Sequence, residues 1–182
     1  NKLVKLNPTH ISTYSIILEE HTKMKINGEE YIDEDLDYKM YNMICKRLKN
    51  AGYVHYEVSN FAKPGYESKH NLNYWNNGEY YGFGLGASGY KAGFRYTNTR
   101  NIHEYISGKY RLEENLLTHK DQMDNELMLG LRKLEGINID EFFNKYNVNI
   151  QDVYPVQELI NKGELIYKGG NLFVNPNMIY AM

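Results

Sequence analysis

Several features that would narrow the class of this chain at once are scarce in it. One cysteine, Cys45, stands among 182 residues, which excludes an internal disulfide framework and any cysteine-cluster metal site built by this chain alone. Charge of either sign is nearly balanced, with 21 Lys plus Arg against 23 Asp plus Glu and a net charge of -2. The general electrostatic argument for nucleic acid or an anionic membrane surface is therefore missing. No apolar run approaches the roughly 20 residues that a membrane-spanning helix needs. No secretory signal is visible, and the chain opens with Asn1-Lys2 rather than Met, which predicts a piece of a longer protein. With so little cysteine, a cytoplasmic setting is expected.

What is abundant is tyrosine, 18 copies. Tyrosine offers a ring face and a hydroxyl, which suits a flat organic ligand and suits lateral packing equally. The length allows one domain or two small ones with a sizeable core.

His10 to Leu18, HISTYSIIL, is β-branched and aromatic and predicts a strand. Next, Asp33-Glu34-Asp35 put negative charge where a helix would begin, Leu36, Met40, Ile44 and Leu48 recur every four residues, and Lys46, Arg47 and Lys49 put positive charge at its end before Gly52. That order predicts a helix over 34–50, with Cys45 as a small apolar residue on it. Tyr53 to Ser59 alternates as a second strand, so strand, helix and strand predict a βαβ unit with parallel pairing. Its ligand-facing end would be Glu57 to Phe61.

After the Pro64-Gly65 turn, Ser68 to Trp75 predicts two helical turns, which place His70 and Tyr74 one above the other. Histidine and tyrosine are both axial ligands of heme iron, and Trp75, Tyr80, Tyr81 and Phe83 could line a flat apolar surface. The spacing alone also occurs by chance. Tyr80 to Tyr90 reads as a glycine-dense strand. Its Gly84-Leu-Gly-Ala-Ser-Gly89 fits the dinucleotide-binding expression, but that motif must open a helix, and Tyr90 to Asn98 continues as strand and turn. The glycines then serve close backbone approach, to a ligand or to a neighbouring strand.

From about Leu117 the pattern becomes α-rich. Helices are expected over Asp121 to Leu134, Asp140 to Tyr146 and Tyr154 to Lys162, then a hairpin around Gly169-Gly170. Three helices and a hairpin resemble a winged helix. From Thr118 onward, however, six Lys plus Arg face nine Asp plus Glu, a sign that opposes phosphate binding, so a packing module is expected and nucleic acid is not.

HISTYSIILEE, the helix led by Asp33-Glu34-Asp35, GYVHYEVSNFAKPGYESKHNLNYW, YGFGLGASGY and LRKLEGINIDEF occur in the order found in the radical SAM proteins known as HemW, relatives of the oxygen-independent coproporphyrinogen III oxidase HemN. The chain resembles the C-terminal portion of that family over nearly all its length. The resemblance implies an α/β fold, namely the C-terminal part of a partial (β/α) barrel over residues 1–116 and a small winged-helix-like, α-rich domain over 117–182. It implies S-adenosylmethionine and a four-iron cluster in the intact protein, with the three-cysteine cluster motif upstream of this chain.

It also implies heme as ligand, since His70-Asn71-Leu72-Asn73-Tyr74 matches the motif of the heme-chaperone branch, and heme-accepting proteins as partners. Looser matching places main-chain contacts to S-adenosylmethionine near Ile17 and Tyr90. The alternative activity is oxidative decarboxylation of coproporphyrinogen III by the intact protein; no radical chemistry is expected of this chain alone. Loss of upstream strands would leave His10 to Leu18 with an unpaired edge, and hence a tendency to self-associate.

Overall fold

A computed structural model describes residues 2–181. The chain divides into two compact units: residues up to Ser68 together with those from Pro176 on, and Lys69–Asn175.

The first unit holds helix α1 (Lys2–Lys5), strand β1 (His10–Ser12), helices α2 (Lys23–Ile26) and α3 (Glu34–Asn50), strands β2 (Val54–Glu57) and β3 (Asn60–Ala62), and a closing 3-10 turn, Ile179–Ala181. The long helix forms where its charges predict. Asp33 caps it by accepting from Leu36 N–H at 3.0 Å, and Glu34, Asp35 and Asp37 occupy its first turn. At its other end Gly52 takes a left-handed φ of 84°. Gly52 N–H then bonds Lys49 C=O at 3.1 Å and Tyr53 N–H bonds Leu48 C=O at 3.1 Å, which closes the exposed carbonyls of the last turn.

Ile11, Leu48, Tyr53 and Phe61 form the core of this unit, with Val4, Ile44, Cys45 and Ala51 packed against it. Cys45 is thus a core-flanking residue, and burial pushes its thiol pKa up. At the opposite end of α3, the Tyr180 hydroxyl donates to Asp37 at 2.9 Å, and its ring meets Tyr38 and Tyr41 edge-on or tilted at 5.2 and 5.3 Å.

The pairing differs from the expected parallel unit. The sheet order is β1-β3-β2, and both pairings are antiparallel. β1 and β2 run in the same direction without bonding each other, because the chain reverses after Glu57 and inserts Asn60–Ala62 between them. β3 is three residues long and wholly buried, too short to announce itself by alternation. The expected strand His10 to Leu18 shortens to His10–Ser12 for the same reason. Thr13 N–H makes a last bond to Ser59 C=O at 2.8 Å, and beyond it β3 offers no partner, so β-branched composition alone does not make a strand. β1 lies at the edge of its sheet.

The second unit holds α4 (Lys69–Trp75), β4 (Ser88–Lys91), β5 (Phe94–Asn98), α5 (Ile102–Ile106), β6 (Arg111–Leu116), α6 (His119–Gly130), β7 (Ile137–Asn138), α7 (Ile139–Tyr146), α8 (Ile150–Val153), α9 (Val156–Asn161), β8 (Leu165–Lys168) and β9 (Asn171–Val174). Strands β4-β5-β6 form an antiparallel meander, and β7-β9-β8 a second antiparallel sheet. The hairpin at Gly169-Gly170 and the helices α6, α7 and α9 lie where the sequence places them. α6 starts earlier than expected, because Thr118 and Asp121 form a reciprocal cap, and it ends at Gly130.

The glycine-dense stretch is not a continuous strand. Tyr80 bridges to Tyr90, and the residues between loop outward before β4. The buried Asn98 holds that loop, donating to the carbonyls of Gly82 at 3.2 Å and Gly84 at 2.9 Å. Gly89 is required by crowding: a Cβ there would sit 2.2 Å from the Tyr96 ring, whose hydroxyl accepts from Gly82 N–H at 2.9 Å. The close approach is to the chain's own β5 residue.

Candidate functional site

Helix α4 is short, so its orientation depends on what it rests on. Just past its C-terminus Asn77 adopts a left-handed φ of 50°, and its amide donates to α6, to Gln122 C=O at 3.3 Å and Glu126 Oε2 at 3.2 Å. Lys133 Nζ donates to Asn76 Oδ1 at 2.6 Å, and the Arg132 guanidinium lies 5.2 Å from the Trp75 ring centroid. Trp75 therefore faces the α6 side rather than an open aromatic surface.

The other face carries the predicted pair. His70 Nε2 and the Tyr74 hydroxyl share a hydrogen bond of 3.2 Å, with ring centroids 4.7 Å apart and planes at 81°. His70 is exposed and Tyr74 half-buried. The Tyr80 ring meets the Tyr74 ring edge-on at 4.5 Å. Tyr80 is itself fixed by two backbone bonds to Tyr90, of 2.8 and 2.9 Å. Beyond it Tyr81 and Phe83, 62% and 84% exposed, stack on each other at 6.0 Å.

A cavity of about 330 Å³ opens beside this pair, lined by Tyr74, Asn77, Tyr80, Tyr90 and Arg95 among others. Burial and the nearby Glu79 carboxylate raise the Tyr90 pKa, against the lowering effect of Arg95. Tyr90 thus stands at the same site as Tyr74, with its backbone N–H and C=O both bonded to Tyr80. Ile17 belongs to the other unit and is 73% exposed. That unit has its own cavity of about 340 Å³, lined by Ile16 and Leu18, which flank Ile17, and by Tyr14, Met40, Tyr41 and Ile44. Among the described residues no group of three or more His, Cys, Asp or Glu converges on a metal-binding geometry. No helix of them is long and apolar enough to cross a membrane.

Comparison with known proteins follows the same outline. Residues 117–177 match the family model described as the HemN C-terminal domain. The heme chaperone HemW of Lactococcus lactis is 43% identical over 175 residues, covering 91% of this chain and 46% of the relative. The heme chaperone HemW of Bacillus subtilis is 34% identical over 174 residues, covering 90% and 46%. The chain belongs to the HemW family. Its C-terminal part is what is present, and the chain spans about half the length of the curated relatives it matches.

A solved structure, described as coproporphyrinogen III oxidase (HemN) from Escherichia coli and as a radical SAM enzyme, matches with a TM-score of 0.72 at 12% identity, over 98% of this chain and 48% of that one. At that identity the likeness is one of fold. For this HemW family member the fold is mixed α/β, and the HemN C-terminal domain runs from α6 to β9. Two groups at the site escaped the sequence reading, Asn77 and Arg95. An asparagine two residues past a helix is a left-handed cap signal. An arginine in a strand carries no signal until its partners are known.

Proposed function

We propose that this chain contributes the heme-holding part of a heme-delivering protein of the HemW type. The observation that carries the reading is the 3.2 Å hydrogen bond between His70 Nε2 and the Tyr74 hydroxyl on the outward face of α4. Imidazole nitrogen and phenolic oxygen are both donors that heme iron accepts, so the residues present fit the group. Either donor would hold the iron and its partner would orient it through the shared hydrogen bond: a Tyr74 phenolate ligand would leave its proton on His70, whereas a His70 ligand would leave the phenol protonated. The exposed Tyr81 and Phe83 rings supply an apolar face. An open, surface-facing site suits a protein that releases its cargo to heme-accepting partners.

The relatives' name, heme chaperone, supports this reading over the oxidase activity named for the fold neighbour. The reading also places residues 1–116 as the barrel-derived part and 117–182 as the helical domain. In the whole protein it assigns main-chain contacts to S-adenosylmethionine near Ile17 and Tyr90, a four-iron cluster to segments outside this chain, and a cytoplasmic location. The test is titration with hemin. The Soret band is expected to shift on binding, and in a folded His70→Ala, Tyr74→Ala double variant the shift and the affinity should both be lost; unchanged spectra and affinity would remove the pair from the site.

A further inference from the structure

Arg95 sits within β5, directly across from Tyr90 of β4, and lines the cavity that Tyr74 also lines. Its Nε is buried without a hydrogen-bond partner, and among the described residues it enters no salt bridge. The guanidinium lies 5.9 Å from the Tyr90 ring centroid, and that ring cannot accept a directed N–H bond as a carboxylate does. The carboxylates that act on this cavity through Tyr90, Glu79 and Glu126, are engaged elsewhere. Glu79 binds Lys91 and the N–H of Ala92. Glu126 accepts from Lys145 at 2.5 Å, Tyr146 at 3.0 Å and Asn77 at 3.2 Å.

A buried Nε–H without an acceptor is unfavourable and calls for an explanation, which a ligand acceptor at the guanidinium would supply. The planar donor fork of arginine matches a carboxylate with two parallel bonds. The volume is at the small end of the range for ligand pockets, roughly 300–1,000 Å³, and suits one edge of a large flat ligand rather than the whole of it. We propose that Arg95 anchors a propionate carboxylate of the porphyrin held beside His70 and Tyr74. The proposal rests on the heme reading above and adds to it the acidic edge of the ligand, which makes the site selective for free porphyrin acids over neutral tetrapyrroles.

The experiment uses the full chain and two probes without iron, protoporphyrin IX and its dimethyl ester, followed by quenching of protein fluorescence. The acid is expected to bind roughly tenfold tighter than the ester, the size of one charge-assisted contact. Arg95→Gln should abolish the difference, and Arg95→Lys should keep part of it, with thermal melts showing that both variants fold. The acid–ester comparison on the unaltered chain needs no variant at all.

Equal affinity for acid and ester, no binding of either, or a difference that persists in folded Arg95→Gln overturns the proposal. A carboxylate here could also come from the amino-acid end of S-adenosylmethionine. If Arg95→Gln weakens that ligand and leaves protoporphyrin unchanged, the porphyrin assignment falls. Because neither porphyrin probe contains iron, failure of iron ligation appears separately: hemin would bind indifferently to the His70 and Tyr74 substitutions while the acid–ester difference remained.

Discussion

Asn77 donates its side-chain amide to Glu126 Oε2 at 3.2 Å and so ties the end of α4 to α6. The residue is 6% exposed and also reaches Gln122 C=O. The short helix that carries His70 and Tyr74 has little stability of its own, so this tie sets which way the pair faces. Asn77→Ala is expected to cost about 2 to 3 kcal/mol, from lost hydrogen bonds and from an alanine forced to positive φ. Asn77→Gly should recover roughly 1 kcal/mol of it by removing the backbone strain. Urea denaturation of the three proteins checks both values, and equal stabilities would mean that α4 is held by something else.

The glycine-rich stretch gives a second contrast. Gly89→Ala drives a methyl into the Tyr96 ring, which is buried and has the Arg111 guanidinium 3.6 Å from its centroid on one face. The expected cost is about 3 kcal/mol, the upper range for overpacking. Gly84→Ala meets nothing within 4 Å and strains only a φ of 94°, for about 1 kcal/mol. Denaturation midpoints showing Gly84 as the more sensitive position would contradict the assignment of these glycines to internal packing.

His55 gives the pH dependence. Its ring stacks on Phe61 at 4.2 Å with planes 12° apart, Nε2 lies 3.1 Å from Val58 C=O, and burial lowers its pKa below the ordinary 6.5 despite the backbone carbonyls. The unfolded chain therefore binds the proton more readily than the folded one. Stability is full above about 6.5 and declines as the pH falls from there through the lower folded value. Denaturation at pH 7.5 and 5.5 should show that decline, and His55→Gln should flatten it. A slope unchanged in the variant would assign the proton to another group.

Much of this was legible in the sequence where the signal is local. Helix α3 is written in the charges around Leu36 to Leu48, the hairpin in Gly169-Gly170, and the His70–Tyr74 contact in a four-residue spacing. Pairing partners were not legible. Three residues, Asn60 to Ala62, displaced a parallel pair expected from His10 to Leu18 and Tyr53 to Ser59, because register and neighbour are decided by tertiary contacts. The loop from Tyr81 to Ala87 read as strand because alternating aromatic and glycine residues imitate one. Arg95 became visible only when its lack of an acceptor could be seen.

The most direct test of the account is the hemin spectrum of the full chain measured as a cycle, with His70→Ala, Tyr74→Phe and the pair together. The account predicts that each single change alters the Soret band and weakens binding, and that the double change adds less than the two separately, since the residues act as one hydrogen-bonded unit. Superimposable spectra and equal affinities across all four proteins would contradict it.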